Sequence, residues 1–146
     1  MAGRVVIDAN VTLALFLNLP YSDSVYRLME RLKKQRQALY APALWGYECV
    51  SGLYKAVKLG MISLAKADEA LVDLDGMAVE QVMPTVEIHH AALRWAERLG
   101  QSKAYDAQYV ALAESLNADL WSADQRLVNA LQALGATWAH WIGEMS

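Results

Sequence analysis

The chain has 146 residues, 55% of them hydrophobic and 20% charged, with a formal net charge of −3. This length fits one domain, residues 1–146, with a real core, and the composition excludes a disordered tail. The longest apolar runs, such as Val11–Leu17, are far too short to span a bilayer, and a single cysteine, Cys49, excludes an internal disulfide or a cysteine-based zinc cluster.

Arg4–Ile7 is a short β-branched run of the kind found in a buried central strand, and Asp8 closes it. An acid at this point, where a signal peptide would need apolar residues, leads us to expect a cytoplasmic protein. Thr12–Asn18 is read as a short helix broken by Pro20. Ser22 to about Gln37 forms an amphipathic helix with Val25, Leu28, Met29 and Leu32 on one face. Ala38–Ala41 is a second strand ended by Pro42, and Leu44–Leu59 a helix stopped by Gly60. Ser63 caps a helix running to about Leu74, and Val79–Met83 alternates like a strand. Val86–Leu99 is a helix ended by Gly100; Ser102 is placed to cap the next, Lys103–Leu116. Asp119–Ser122 is a fourth strand, Gln125–Leu134 a helix, and Ala136–Ala139 a last edge strand. Short strands alternating with helices predict an α/β/α sandwich around a parallel sheet. Sites in such sheets form at the carboxyl ends of the strands.

Four acids stand out against that frame. Asp8 lies at the end of the first strand; its alternative role is to cap a helix beginning near Val11. Asp106 borders the apolar side formed by Tyr105, Tyr109, Val110 and Leu112, where a carboxylate is costly unless compensated by the helix N-terminus or by a bound cation. Asp124 follows the fourth strand and is placed to cap the helix at Gln125. Glu48 falls outside the apolar arc of its helix, so the wheel favours an ordinary exposed Glu paired with Lys55 or Lys58; Gly52, one turn on, would open space beside it. Net charge argues weakly against nucleic-acid binding, since phosphate contacts need cations. Basic residues nevertheless cluster at Arg27, Arg31, Lys33, Lys34 and Arg36, and Lys55, Lys103 and Arg126 accompany the acids.

The spacing of these motifs resembles the PIN-domain nucleases and, among them, the single-domain toxins of VapBC toxin–antitoxin pairs. Val5-Val6-Ile7-Asp8-Ala9-Asn10 is similar to the family's first motif, and Glu48 in Trp45-Gly46-Tyr47-Glu48-Cys49 to its mid-chain acid. Tyr105-Asp106-Ala107-Gln108-Tyr109 is the most specific match, and Trp121-Ser122-Ala123-Asp124 resembles the last motif. The resemblance covers essentially the whole chain in order. It implies a divalent-metal-dependent ribonuclease cutting RNA, with Asp8, Glu48, Asp106 and Asp124 as catalytic metal ligands. Asn10 and Ser122 would support them, and Lys55, Lys103 and Arg126 would contact substrate phosphates. Mg²⁺ or Mn²⁺ suits such oxygen donors. An antitoxin partner is implied by the resemblance alone, and the high apolar fraction suggests a homodimer.

Two rival families share the opening motif. The haloacid-dehalogenase phosphatases require a second Asp two residues after the first, where Asn10 stands here. A receiver domain does not account for Asp106 and Asp124 together. A non-catalytic PIN-like module holding RNA or protein is the remaining alternative, which the intact acids disfavour. His89 and His90 are adjacent and diverge on a helix, so they make a poor metal pair. Trp95, Trp138 and Trp141 read as core or interface residues.

Overall fold

A computed structural model describes residues 3–101 and 104–146. Five parallel strands form one sheet in the order β3-β2-β1-β4-β5. They are β1 (Arg4–Ile7), β2 (Ala38–Pro42), β3 (Glu80–Val82), β4 (Asp119–Ser122) and β5 (Ala139–Trp141). The helices between them are α1 (Ala9–Leu13), α2 (Ser22–Lys34), α3 (Leu44–Lys58), α4 (Leu64–Asp75), α5 (Val86–Leu99), α6 (Tyr105–Leu116) and α7 (Gln125–Ala133). A 3₁₀ turn, Ile142–Met145, follows β5.

Pleating sorts the strand side chains between two cores. Val5 and Ile7 of β1 and Trp121 of β4 pack with Val25, Leu28 and Leu32 of α2 and with Ile142. Val6 and Leu120 face the other way, toward α3, α6 and α7. Burial on both faces explains the unbroken apolar run of β1. Chain order reverses between β1 and β4, because β2 and β3 lie on one side of β1 and β4 and β5 on the other. This is the switch point at which ligands bind in open α/β sheets. The β1–β4 register pairs Ile7 with Trp121, which sets Asp8 beside Ser122.

Caps end the helices where the sequence indicates. Ser63 Oγ accepts from Lys66 N–H, and Thr85 Oγ1 accepts from Ile88 N–H. Gly100 ends α5 with a left-handed φ of 67° that a side chain would strain. Two elements differ from expectation. The first helix begins directly after Asp8 and ends at Leu13, because the Asp8 carbonyl accepts from Val11 and Thr12. The last strand is Ala139–Trp141 rather than 136–139. Ala139 N–H bonds back to the Ala136 carbonyl in a turn, and pairing with β4 starts only at the Trp138 carbonyl. The expected start of α6 at Ser102 and Lys103 lies outside the described residues.

Candidate active site

Each of the four acids is delivered by a different element to the carboxyl end of the sheet. Asp8 is the residue after β1 and is 7% exposed. Its side chain makes no N-cap bond to α1; instead Oδ2 accepts from Ser122 Oγ at 2.9 Å. Ser122 Oγ in turn accepts from Asp124 N–H at 3.1 Å and from Asn10 Nδ2 at 3.4 Å. Asn10 Oδ1 accepts from Ala123 N–H at 3.0 Å. One hydroxyl and one amide therefore tie the end of β1 to the turn after β4. Asp124 uses Oδ1 to cap α7 at Leu127 N–H, 3.1 Å; its second oxygen is left for another partner.

The other two acids come from helices on the far core. Glu48 is half-buried on α3, and Tyr109 on α6 donates its hydroxyl to Glu48 Oε1 at 2.6 Å. The expectation of an exposed Glu48 paired with Lys55 or Lys58 is thus corrected. The helical wheel weighs apolar neighbours and misses a hydroxyl brought by another helix. Space beside Gly52 is also not open, since the side chain of Leu13 packs where a Cβ would sit. Asp106 stands in the first turn of α6, half-buried, and accepts from Gln101 Nε2 at 3.3 Å.

The charges of these groups reach one another. Asp8 is raised from 3.8 to about 7, by burial first and by repulsion from Asp106 and Glu48, against the Ser122 bond that lowers it. Glu48 is raised by burial and by Asp106, opposed by the Tyr109 bond. Asp106 is raised by burial and by Asp124, opposed by Gln101. Among the described residues, none of the four acids forms an ion pair with a basic side chain. Lys55 and Arg126 are exposed, and Lys103 lies outside the described residues. Arg27 and Arg31 of the basic segment are engaged elsewhere: Arg27 Nε donates to the Met145 carbonyl at 2.7 Å, and Arg31 lies over the Trp121 ring.

Four residues support the site in ways the sequence does not indicate. Trp45 donates from Nε1 to Thr12 Oγ1 at 2.9 Å, and Thr12 Oγ1 donates to the Asp8 carbonyl at 3.5 Å. Tyr109 read as a core aromatic, and it is fully buried apart from the hydroxyl's bond to Glu48. Gln101 has one amide atom on Asp106, while its Oε1 is buried with no partner among the described residues.

This donor set suits a hard divalent cation. It offers carboxylate oxygens, with the neutral Gln101 oxygen nearby, and carries repulsion that a cation would relieve. The set is open: among the described residues no three acids or histidines already stand close enough to grip one ion together. An ion held here would take part of its shell from water, as Mg²⁺ does at sites with few carboxylates.

Comparison with known proteins decides the family. The PIN domain matches residues 5–130. The chain belongs to the PIN-domain family. It is 35% identical over 129 residues to the VapC ribonuclease Mb0985 of Mycobacterium bovis, covering 88% of this chain and 92% of that protein. The PIN fold also recurs in PAE2754 from Pyrobaculum aerophilum, with a TM-score of 0.68, 23% identity, and coverage of 99% and 88% of the two chains. A chain of VapBC2 from Rickettsia felis, solved bound to a DNA fragment from its promoter, matches with a TM-score of 0.66 and 14% identity over 94% and 98%. PIN-domain ribonucleases of the VapC type generally depend on a divalent metal ion.

Proposed function

We propose that this PIN domain, acting as one unit over the whole chain, is a divalent-metal-dependent ribonuclease that hydrolyses phosphodiester bonds in single-stranded or looped RNA, with water as nucleophile. The observation that carries the reading is the mutual repulsion of Asp8, Glu48, Asp106 and Asp124 around one strand-end position with no described cation paired to them. Mg²⁺ or Mn²⁺ is the ion that fits these oxygen donors. When bound, it supplies charge neutralisation and polarisation of the phosphoryl oxygen and of the attacking water.

The chain's own residues divide that work. Asp8 and Asp106 are direct ligands, and Glu48 and Asp124 complete the site directly or through water. Ser122 and Asn10 hold Asp8 against the β4 turn, while Tyr109 fixes the Glu48 carboxylate. Lys55, Lys103 and Arg126 contact substrate phosphates. Purified Asp106→Asn is expected to lose metal-dependent cleavage of RNA while keeping its circular-dichroism spectrum; full residual activity would overturn the assignment.

The relative in Mycobacterium bovis is named a VapC ribonuclease, and the Rickettsia felis neighbour is part of a VapBC complex. On that likeness this chain acts as the toxin of a toxin–antitoxin pair and binds a cognate antitoxin. A small DNA-binding gene adjacent to its own is the expected finding. Its exposed apolar side chains, such as Tyr47, Leu59 and Val72, support a homodimer. A strictly monomeric mass by light scattering at micromolar concentration would remove it.

A further inference from the structure

A groove of about 330 Å³ opens at the carboxyl ends of β2 and β3. Its lining includes Leu44, Met83, Pro84, His89, Tyr105 and Gln108. None of the acids lines it, yet it adjoins Glu48 and Asp106 through two elements. Leu44 lies one turn before Glu48 on the same side of α3. Tyr105 is the chain neighbour of Asp106 in the first turn of α6, and Gln108 lies one turn on from Tyr105 on the same side. Four other clefts on the described residues each contain a carboxylate: Glu30 and Glu80, Glu114, Asp75, or Asp68. This one contains none, so a neutral ring meets no charged group on its walls.

The polar groups of the groove are few and paired. Gln108 Nε2 lies 3.1 Å from His89 Nδ1. An amide nitrogen only donates, so the ring accepts at Nδ1 and carries its proton on Nε2. Between the two side chains that leaves one acceptor, Gln108 Oε1, and two donors, the second Gln108 Nε2–H and His89 Nε2–H. Tyr105 is 62% exposed and Met83 74% exposed. A mostly apolar recess with an exposed aromatic ring, one acceptor and two donors matches how proteins hold splayed-out bases of single-stranded RNA.

We propose that this groove receives an unstacked nucleobase next to the scissile phosphate, with Tyr105 stacking on the base and the Gln108–His89 pair meeting its edge. The inference rests on the ribonuclease reading for the position of the cut, but the binding it describes is measured without cleavage. The four nucleoside 5′-monophosphates, titrated one at a time in EDTA at millimolar concentration, are followed by NMR at the Met83 methyl and the Gln108 side-chain amide. At least one nucleotide is expected to shift both signals saturably, and its Kd should rise roughly 5-fold or more in Tyr105→Ala, the scale of one base–aromatic stack. Gln108→Ala should change which base binds best.

No shift with any nucleotide, or equal binding by Tyr105→Ala, would overturn the proposal. So would a dimer in which Met83 and Tyr105 are shielded by the second copy. An RNA lacking the base beside the cut should be cleaved by the wild type with kcat/KM lower by the same factor, and should lose nothing more with Tyr105→Ala. Nucleotide binding in a protein that cuts no RNA would count against the ribonuclease reading and support the groove as a base site.

Discussion

Replacing Asp8 by Asn should stabilise the metal-free protein while removing its metal-dependent function. Asp8 is buried beside two other carboxylates, and its folded-state value is about 7 against 3.8 for the ordinary side chain. The folded state therefore holds the Asp8 proton more tightly than the unfolded state does. Stability is greatest below the unfolded value and falls as pH rises through this window, levelling off once the folded value is passed. Taken whole, the displacement corresponds to roughly 4 kcal/mol at about pH 8, of which about 1–2 kcal/mol has already been lost at about pH 5. Asn keeps the shape, still accepts from Ser122, and carries no charge. Its advantage over wild type should therefore grow by roughly 2–3 kcal/mol between those two pH values, or about 5–10 °C in Tm. The assay is thermal or urea unfolding of both proteins in EDTA at the two pH values. An Asn variant less stable than wild type by a constant amount at both would refute the reasoning. It would mean that the Ser122 bond, rather than burial and repulsion, dominates at Asp8.

Tyr109→Phe removes the 2.6 Å bond that lowers Glu48. Glu48 should then titrate higher, so the acidic limb of the RNA-cleavage pH profile moves upward. The kcat/KM should fall about 10- to 100-fold, the size of a lost bond to a charged group; an unmoved pH profile would show that Glu48 is not required in its ionised form. Trp45→Phe deletes the indole donor to Thr12 in the buried contact between α3 and α1. It should cost about 1–3 kcal/mol in urea unfolding because the Thr12 hydroxyl is left with a missing partner. An unchanged midpoint would place that bond outside the forces that hold the strand end.

The sheet and the strand-end place of Asp8 were legible from local signals, whereas Glu48 and Asp124 stood out mainly through the family pattern. Val5, Val6 and Ile7 buried on both faces make a central strand, and an acid directly after such a strand stands at the ligand-binding edge. Asp106 was conspicuous as a carboxylate bordering an apolar stripe. What the sequence hid depends on contacts between distant elements. Tyr109 fits a core pattern, and only the approach of α3 to α6 turns its hydroxyl toward Glu48. Trp45 and Thr12 are separated by a strand and a helix, so their bond has no periodic signature. The shift of β5 to Ala139–Trp141 reflects a turn after Gly135 whose hydrogen bonds compete with strand pairing. The crowding of Gly52 by Leu13 likewise follows from helix packing that a single-helix wheel does not contain.

The central claim is that the acids form one cation site, and calorimetric titration with Mn²⁺ tests it most directly. The account predicts saturable binding by the wild type, lost in Asp8→Asn and in Asp106→Asn and weakened in Glu48→Gln and Asp124→Asn, with all four variants folded. A wild type that binds no Mn²⁺, or variants that bind it as tightly as the wild type, would contradict it.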